Sequence, residues 1–197
     1  MSSVKWSTAL VAAVLVGFAS PSWAKGDDSI TVEVAAASLS PNEFVWNDVA
    51  TTDPVRVVIN VAEQRAYVYR GEVLVAATTV STGKSGKDTP SGTFTILQKK
   101  IDHRSNLYDD APMPFMQRLT WDGVAIHAGK NPGFPASHGC VRVPLAFAKK
   151  LYGITSVGTT VTVVGADGEI APLVYDGSGT SRETAKANKS GLQLALN

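Results

Sequence analysis

Pro54-Val55-Arg56-Val57-Val58-Ile59-Asn60-Val61, followed by Ala66-Tyr67-Val68-Tyr69-Arg70, Gly71-Glu72 and Val73-Leu74-Val75-Ala76-Ala77-Thr78-Thr79-Val80-Ser81, is dense in β-branched and aromatic residues. A proline opens the run and short polar turns break it, which is the pattern of a strand meander. Downstream, Gly83 to Gly92 is rich in turn residues, and Thr93-Phe94-Thr95-Ile96-Leu97 alternates as a strand does. Val124-Ala125-Ile126-His127 is a short apolar strand ending in a histidine, and Thr160-Val161-Thr162-Val163-Val164 closes the series. One helix is expected, from Leu145 to Tyr152: Pro144 suits its start and Gly153 its end. The pattern predicts a mainly β, single-core domain over residues 54–165 with one short helix and no internal repeat.

The flanks read differently. Lys5 is the only charge before the apolar run TALVAAVLVGFA (Thr8–Ala19), and Ser22-Trp23-Ala24 has small residues at its first and third places. That order predicts a secretory signal over 1–24, cleaved after Ala24. The run is shorter than the ~20 residues a spanning helix needs, so no membrane anchor is expected after cleavage. Residues 25–53 are mixed and polar and read as a linker, with Phe44-Val45-Trp46 as a docking stretch, because paired aromatics rarely stay in water. Residues 166–197 lose the β pattern and read as a flexible C-terminal tail.

In all, the chain has 197 residues, with Lys+Arg 18 against Asp+Glu 17. Removing Lys5 with the signal leaves 17 basic and 17 acidic side chains. This balance excludes a basic footprint for nucleic acid and gives no attraction to an anionic membrane. The chain carries 1 cysteine, so no internal disulfide forms. A lone thiol in an exported, oxidising setting is either buried and inert or kept for its reactivity.

That cysteine lies in Ile126-His127-Ala128-Gly129-Lys130-Asn131-Pro132-Gly133-Phe134-Pro135-Ala136-Ser137-His138-Gly139-Cys140-Val141-Arg142-Val143-Pro144. Two of the 3 histidines fall in the same stretch. A thiol nucleophile needs an imidazole partner and donors for the oxyanion formed at the attacked carbonyl. Gly139 beside Cys140 lets backbone N–H groups approach such an oxygen, and the intervening Pro and Gly residues can bend His127 back over Cys140. A buried structural cysteine is the plain alternative. A zinc site of His127, His138 and Cys140 is another, but the His-Gly-Cys spacing is tight and the cluster has no acidic residue to act as base. Gly83-Lys84-Ser85 lacks the earlier glycine of a phosphate loop, since Thr78 stands there, and nucleotide binding is rejected. No metal or cofactor is expected. Met113, Pro114, Phe115 and Trp121 are candidate cleft-lining residues, His103 is expected to face solvent, and Tyr108-Asp109-Asp110 to belong to a flap.

At these residues the sequence resembles the L,D-transpeptidase catalytic domain, also called the YkuD domain. Ser137-His138-Gly139-Cys140 resembles its SHGC signature, His127 its upstream histidine, Thr89-Pro90-Ser91-Gly92-Thr93-Phe94 its TPxGxF stretch, and Asn60 to Tyr69 its opening hairpin. The resemblance spans roughly Val55 to Val164; Ala128 replaces a frequent glycine and Arg142 a frequent asparagine. It implies a β-sandwich-like fold and an exported enzyme of the periplasm or cell envelope acting on peptidoglycan stem peptides. Cys140 would attack the third stem residue, release the terminal D-alanine and pass the acyl group to an amine, giving 3→3 cross-links. Relatives attach an envelope protein to the wall, exchange a D-amino acid or hydrolyse a bond, and a non-catalytic wall-binding module is the non-enzymatic alternative. The resemblance assigns His127 as base, oriented by the Ala128 carbonyl. It places Ser137, His138 and Gly139 around the nucleophile, with the Gly139 and Cys140 N–H groups as oxyanion donors. Arg142 is expected either to clamp a substrate carboxylate or to form a surface ion pair.

Overall fold

The computed structural model describes residues 28–106, 110–170, 173–175 and 182–183. Asp28–Ala37 (α1) and Phe44–Trp46 (β1) precede the meander of Val55–Asn60 (β2), Arg65–Arg70 (β3) and Val73–Thr79 (β4). Gly92–Thr95 (β5), Gln98–Lys100 (β6), Met116–Arg118 (β7), Ala125–Ala128 (β8) and Val141–Val143 (β9) follow. Leu145–Ile154 (α2), Thr160–Val164 (β10), Leu173–Tyr175 (β11) and Arg182–Glu183 (β12) complete the order. The fold is mostly β. One sheet runs β1-β4-β3-β2-β10-β5-β11-β12 and a second runs β6-β7-β8-β9.

Alternation along the meander divides its side chains between two layers. Val57 and Ile59 of β2, Ala66 and Val68 of β3, and Val161 and Val163 of β10 point into the main core. There they meet Ile126, Ala128, Val141 and Val143 of the small sheet and Phe147, Ala148 and Leu151 of α2. Phe147 is the hub, with Phe44 at 5.7 Å and Trp46 at 5.5 Å in edge-on contact. Tyr67 and Tyr69, one residue out of phase, face the opposite layer, where Val32 and Ala36 of α1 pack on Leu74 and Ala77.

The segment 25–53 therefore contains a packed helix and a sheet strand, where a linker was expected. Ile30, Thr31, Val32 and Val34 are weak helix formers, which hides α1 from a propensity reading. Burial of Val32 and Ala36, four residues apart on one face, decides in favour of the helix. Arg65 then donates to the carbonyls of Ala36 and Ala37 at 2.8 and 3.0 Å, satisfying the helix end. The aromatic docking stretch is β1, paired antiparallel with β4.

Helix α2 passes through Gly153 and stops at Ile154, because Thr155 caps it: its N–H and hydroxyl both donate to Leu151 O. Lys99 Nζ donates to Tyr152 O and Thr155 O, at 2.7 and 2.6 Å, and so serves the exposed carbonyls that a terminal glycine was expected to resolve. Within 166–197, expected as a tail, β11 pairs parallel with β5 and β12 pairs with β11. The export signal over 1–24, Tyr108 and Asp109 lie outside the described residues. Among those that are described, no helix is long and apolar enough to cross a membrane.

Candidate active site

Strands β8 and β9 run parallel with Ile126 opposite Val141, His127 opposite Arg142 and Ala128 opposite Val143. Since side chains alternate, His127 and Arg142 leave the core face together, and Cys140, two residues before Arg142, shares their side. Cys140 packs there on Met113, Met116 and Ala125. His127 is 7% exposed, and its Nδ1 lies 2.8 Å from Ala128 O. A carbonyl can only accept, so the proton sits on Nδ1 and Nε2 keeps its lone pair.

The turn that presents the sulfur is held by short polar bonds. Ser137 is buried; its Oγ donates to Cys140 O at 2.6 Å and accepts from Gly139 N–H at 3.1 Å. Gly139 has φ +113°, a conformation costly for other residues. Its carbonyl accepts from Thr89 Oγ1 at 2.9 Å, and the same hydroxyl accepts from Gly83 N–H at 2.9 Å. Thr82 O accepts from the N–H groups of Ala136 and Ser137, and Lys84 N–H donates to Ser137 O. Gly83 is required by close approach: a Cβ there would lie 2.0 Å from Lys87 O. The Gly139 amide, expected to face an oxyanion, is thus directed at Ser137 Oγ instead.

Burial dominates the electrostatics of the pair. It pulls His127 down to about 4; the Ala128 bond opposes this, and Arg142 adds to it. Burial also pushes the Cys140 thiol up, against smaller opposing effects from a backbone bond at Ala125 and from Arg142 and Arg118. The thiol donates to Gly123 O at 3.3 Å. Both shifts favour the neutral imidazole and the protonated thiol over the charged forms, because burial is the largest cause of each.

A cleft of about 750 Å³ opens over these groups. Cys140, His127, His138, Ser137, Ala128 and Arg142 all border it, as do Met113 and Pro114. His138 stands exposed at the rim. Phe115 instead stacks edge-on against Tyr152 at 5.8 Å, and Trp121 and His103 line a smaller neighbouring hollow. His103 is half-buried where solvent exposure was expected. Asp110 pairs with Arg104, and their neighbours Ser105 and Ala111 reach the cleft edge. Among the described residues no aspartate or glutamate borders the cleft, whereas Arg142 and Lys130 do. Among the described residues the Arg142 guanidinium has no ion pair. Its stem lies on Gly129, where a Cβ would come within 3.0 Å of Arg142 Cγ. Nor do three or more His, Cys, Asp or Glu side chains converge as metal ligands among the described residues.

Thr89, Gly83, Gly129, Asn131 and Asn42 were not assigned site roles from sequence. Thr89 and Gly83 sit in recognisable stretches, so their signal was present. Asn42 and Asn131 lie 89 positions apart, and only the fold brings them together.

Residues 54–163 match the family model of the L,D-transpeptidase catalytic domain. Among solved structures, an L,D-transpeptidase from Mycobacterium smegmatis is 25% identical, with TM-score 0.53, covering 56% of this chain and 58% of its own. One from Stackebrandtia nassauensis is 27% identical, with TM-score 0.53, over 66% of this chain and 60% of its own. A transpeptidase solved in complex with imipenem is 23% identical, with TM-score 0.53, over 57% and 59%, and shows likeness of fold. The chain thus spans about 60% of the length of these proteins. No curated protein matches it.

Proposed function

This chain belongs to the L,D-transpeptidase catalytic-domain family, and on that premise we propose that it is an exported thiol acyltransferase acting on peptidoglycan stem peptides. The observation that carries the reading is the meeting, in one cleft, of Cys140, an Nδ1-protonated His127 and Arg142, which has no ion pair among the described residues.

His127 Nε2 takes the Cys140 proton as the sulfur attacks the carbonyl of the third stem residue. Because both groups rest uncharged, proton transfer accompanies attack, and no standing thiolate is needed. The tetrahedral oxyanion is met by the Cys140 N–H. Collapse breaks the C–N bond, and His127 returns its proton to the departing D-alanine amine, leaving a thioester. An acceptor amine then attacks, loses a proton to His127, and collapse restores the thiol with a new amide. With a second stem as acceptor the product is a 3→3 cross-link; an envelope-protein amine or water gives the related products. Arg142 binds a stem carboxylate bidentately. The signal over 1–24 supplies export, and the protein acts in the periplasm or cell envelope.

Intact-mass measurement after mixing the protein with a defined tetrapeptide stem, or with a carbapenem, tests this. A covalent adduct on Cys140, absent in Cys140→Ala, is expected. Turnover without an adduct, or turnover surviving in Cys140→Ala, overturns it.

A further inference from the structure

The cleft is bordered on one side by a residue from outside the matched domain. Asn42, in the turn between α1 and β1, lines it beside Gly129 and Lys130. Its backbone is left-handed, with φ +68°, a conformation asparagine tolerates better than most. Its amide grips one residue of the facing loop as a strand partner would: Nδ2 donates to Asn131 O at 2.8 Å, and Oδ1 accepts from Asn131 N–H at 3.3 Å.

Asn131 is buried and carries the link onward. Its Nδ2 donates to Thr79 Oγ1 at 3.2 Å, and its Oδ1 accepts from Gly133 N–H at 2.9 Å. Thr79 Oγ1 in turn donates to Ser40 O at 3.2 Å, which closes a ring through the turn that bears Asn42. Gly133, at φ +92°, lies so near Pro41 that a Cβ would come 2.7 Å from the proline Cγ. The loop after His127 is therefore seated on residues 40–43. Two residues before Asn131, Gly129 supports the Arg142 stem.

We infer that the turn preceding the transpeptidase domain is a working wall of the substrate cleft, and that Asn42 is a positioning residue which, through Asn131 and Gly129, fixes Arg142 for a substrate carboxylate. The inference rests on the acyltransferase reading above and deepens it, since it ties selection of carboxylate-bearing peptides to a segment outside the domain. Neither Asn42 nor Asn131 touches the reacting atoms; they act by holding the guanidinium in place.

The test uses the full chain carrying Cys140→Ala, so that binding is read without turnover, with a tetrapeptide stem bearing free carboxylates and its amidated counterpart. Asn42→Gly keeps the turn conformation and removes both bonds; Asn42→Asp keeps the acceptor for Asn131 N–H. Calorimetry is expected to show the free-carboxylate peptide binding about fivefold more weakly to Asn42→Gly, with the amidated peptide little changed and Asn42→Asp intermediate. The loss of discrimination is the decisive readout, because general loosening weakens both peptides alike. Equal affinities in the parent and both variants, or parallel losses for both peptides, overturn the inference while leaving the functional reading intact. No binding of either peptide to any of the proteins sinks both. Should Asn42→Gly not fold, Asn42→Ala, which also removes both bonds, is read for the same loss of discrimination.

Discussion

The two faces of the β8–β9 pair are built from the same strands and obey opposite rules. On the inner face Ile126, Ala128, Val141 and Val143 are at most 5% exposed and belong to the main apolar core. Burial of such side chains contributes about 1.5–3 kcal/mol each for the larger ones, without regard to direction. On the outer face His127, Arg142 and Cys140 are positioned by directional bonds and by glycines that let backbone and side chain approach. The inner face makes the platform rigid; on the outer face burial reinforces the neutral forms of His127 and Cys140. Substitutions on the two faces should therefore separate cleanly into losses of chemistry and losses of stability.

The largest separation is expected at Cys140→Ala. Turnover of a tetrapeptide should fall at least about a thousandfold, while the thermal midpoint stays within about 2 °C of the parent, measured by calorimetry and product release in parallel. His127→Gln should slow acylation about a hundredfold or more with a modest change in stability, read by the rate of adduct formation. A fast acylation rate in that variant would move the base elsewhere.

Titration separates the faces next. The folded protein holds His127 at about 4, below its ordinary value of 6.5. The unfolded chain therefore binds the proton more readily between those values, and stability falls as pH drops from about 6.5 toward 4. Urea midpoints across this range should decline in the parent and decline less in His127→Gln. The acid limb of kcat/KM should likewise lie well below 6.5. A limb near 6.5 would mean an imidazole far better solvated than its 7% exposure implies. The smallest effect belongs to the inner face: Ile126→Val should cost about 0.5–1.5 kcal/mol in urea unfolding and leave kcat within about twofold.

Alternation and β-branching in 55–79 are enough to locate the meander, since those strands are long and each buries at least one face. Strands β6, β7 and β9 have three residues each, and Gln98-Lys99-Lys100 is wholly polar, so no periodic signal marks them. Helix α1 opposes its own propensities and exists because the Tyr67–Tyr69 face of the sheet needs a cover. At the site, residue types and order pointed to Cys140, His127 and the surrounding turn. Charge state was not legible, because it depends on how much water the fold removes. The engagement of the Gly139 amide by Ser137 was also hidden, as it depends on a turn geometry that composition does not encode.

The burial that favours a protonated Cys140 also bears on chemical durability. Peroxides and alkylating agents react with the anion of sulfur far faster than with its protonated form. A half-buried thiol whose proton is engaged by the Gly123 carbonyl offers such agents little to attack. With 1 cysteine in the chain, no resolving partner waits to rescue a sulfenic acid. Held in its protonated form, the one sulfur of the chain meets such agents in its less reactive state.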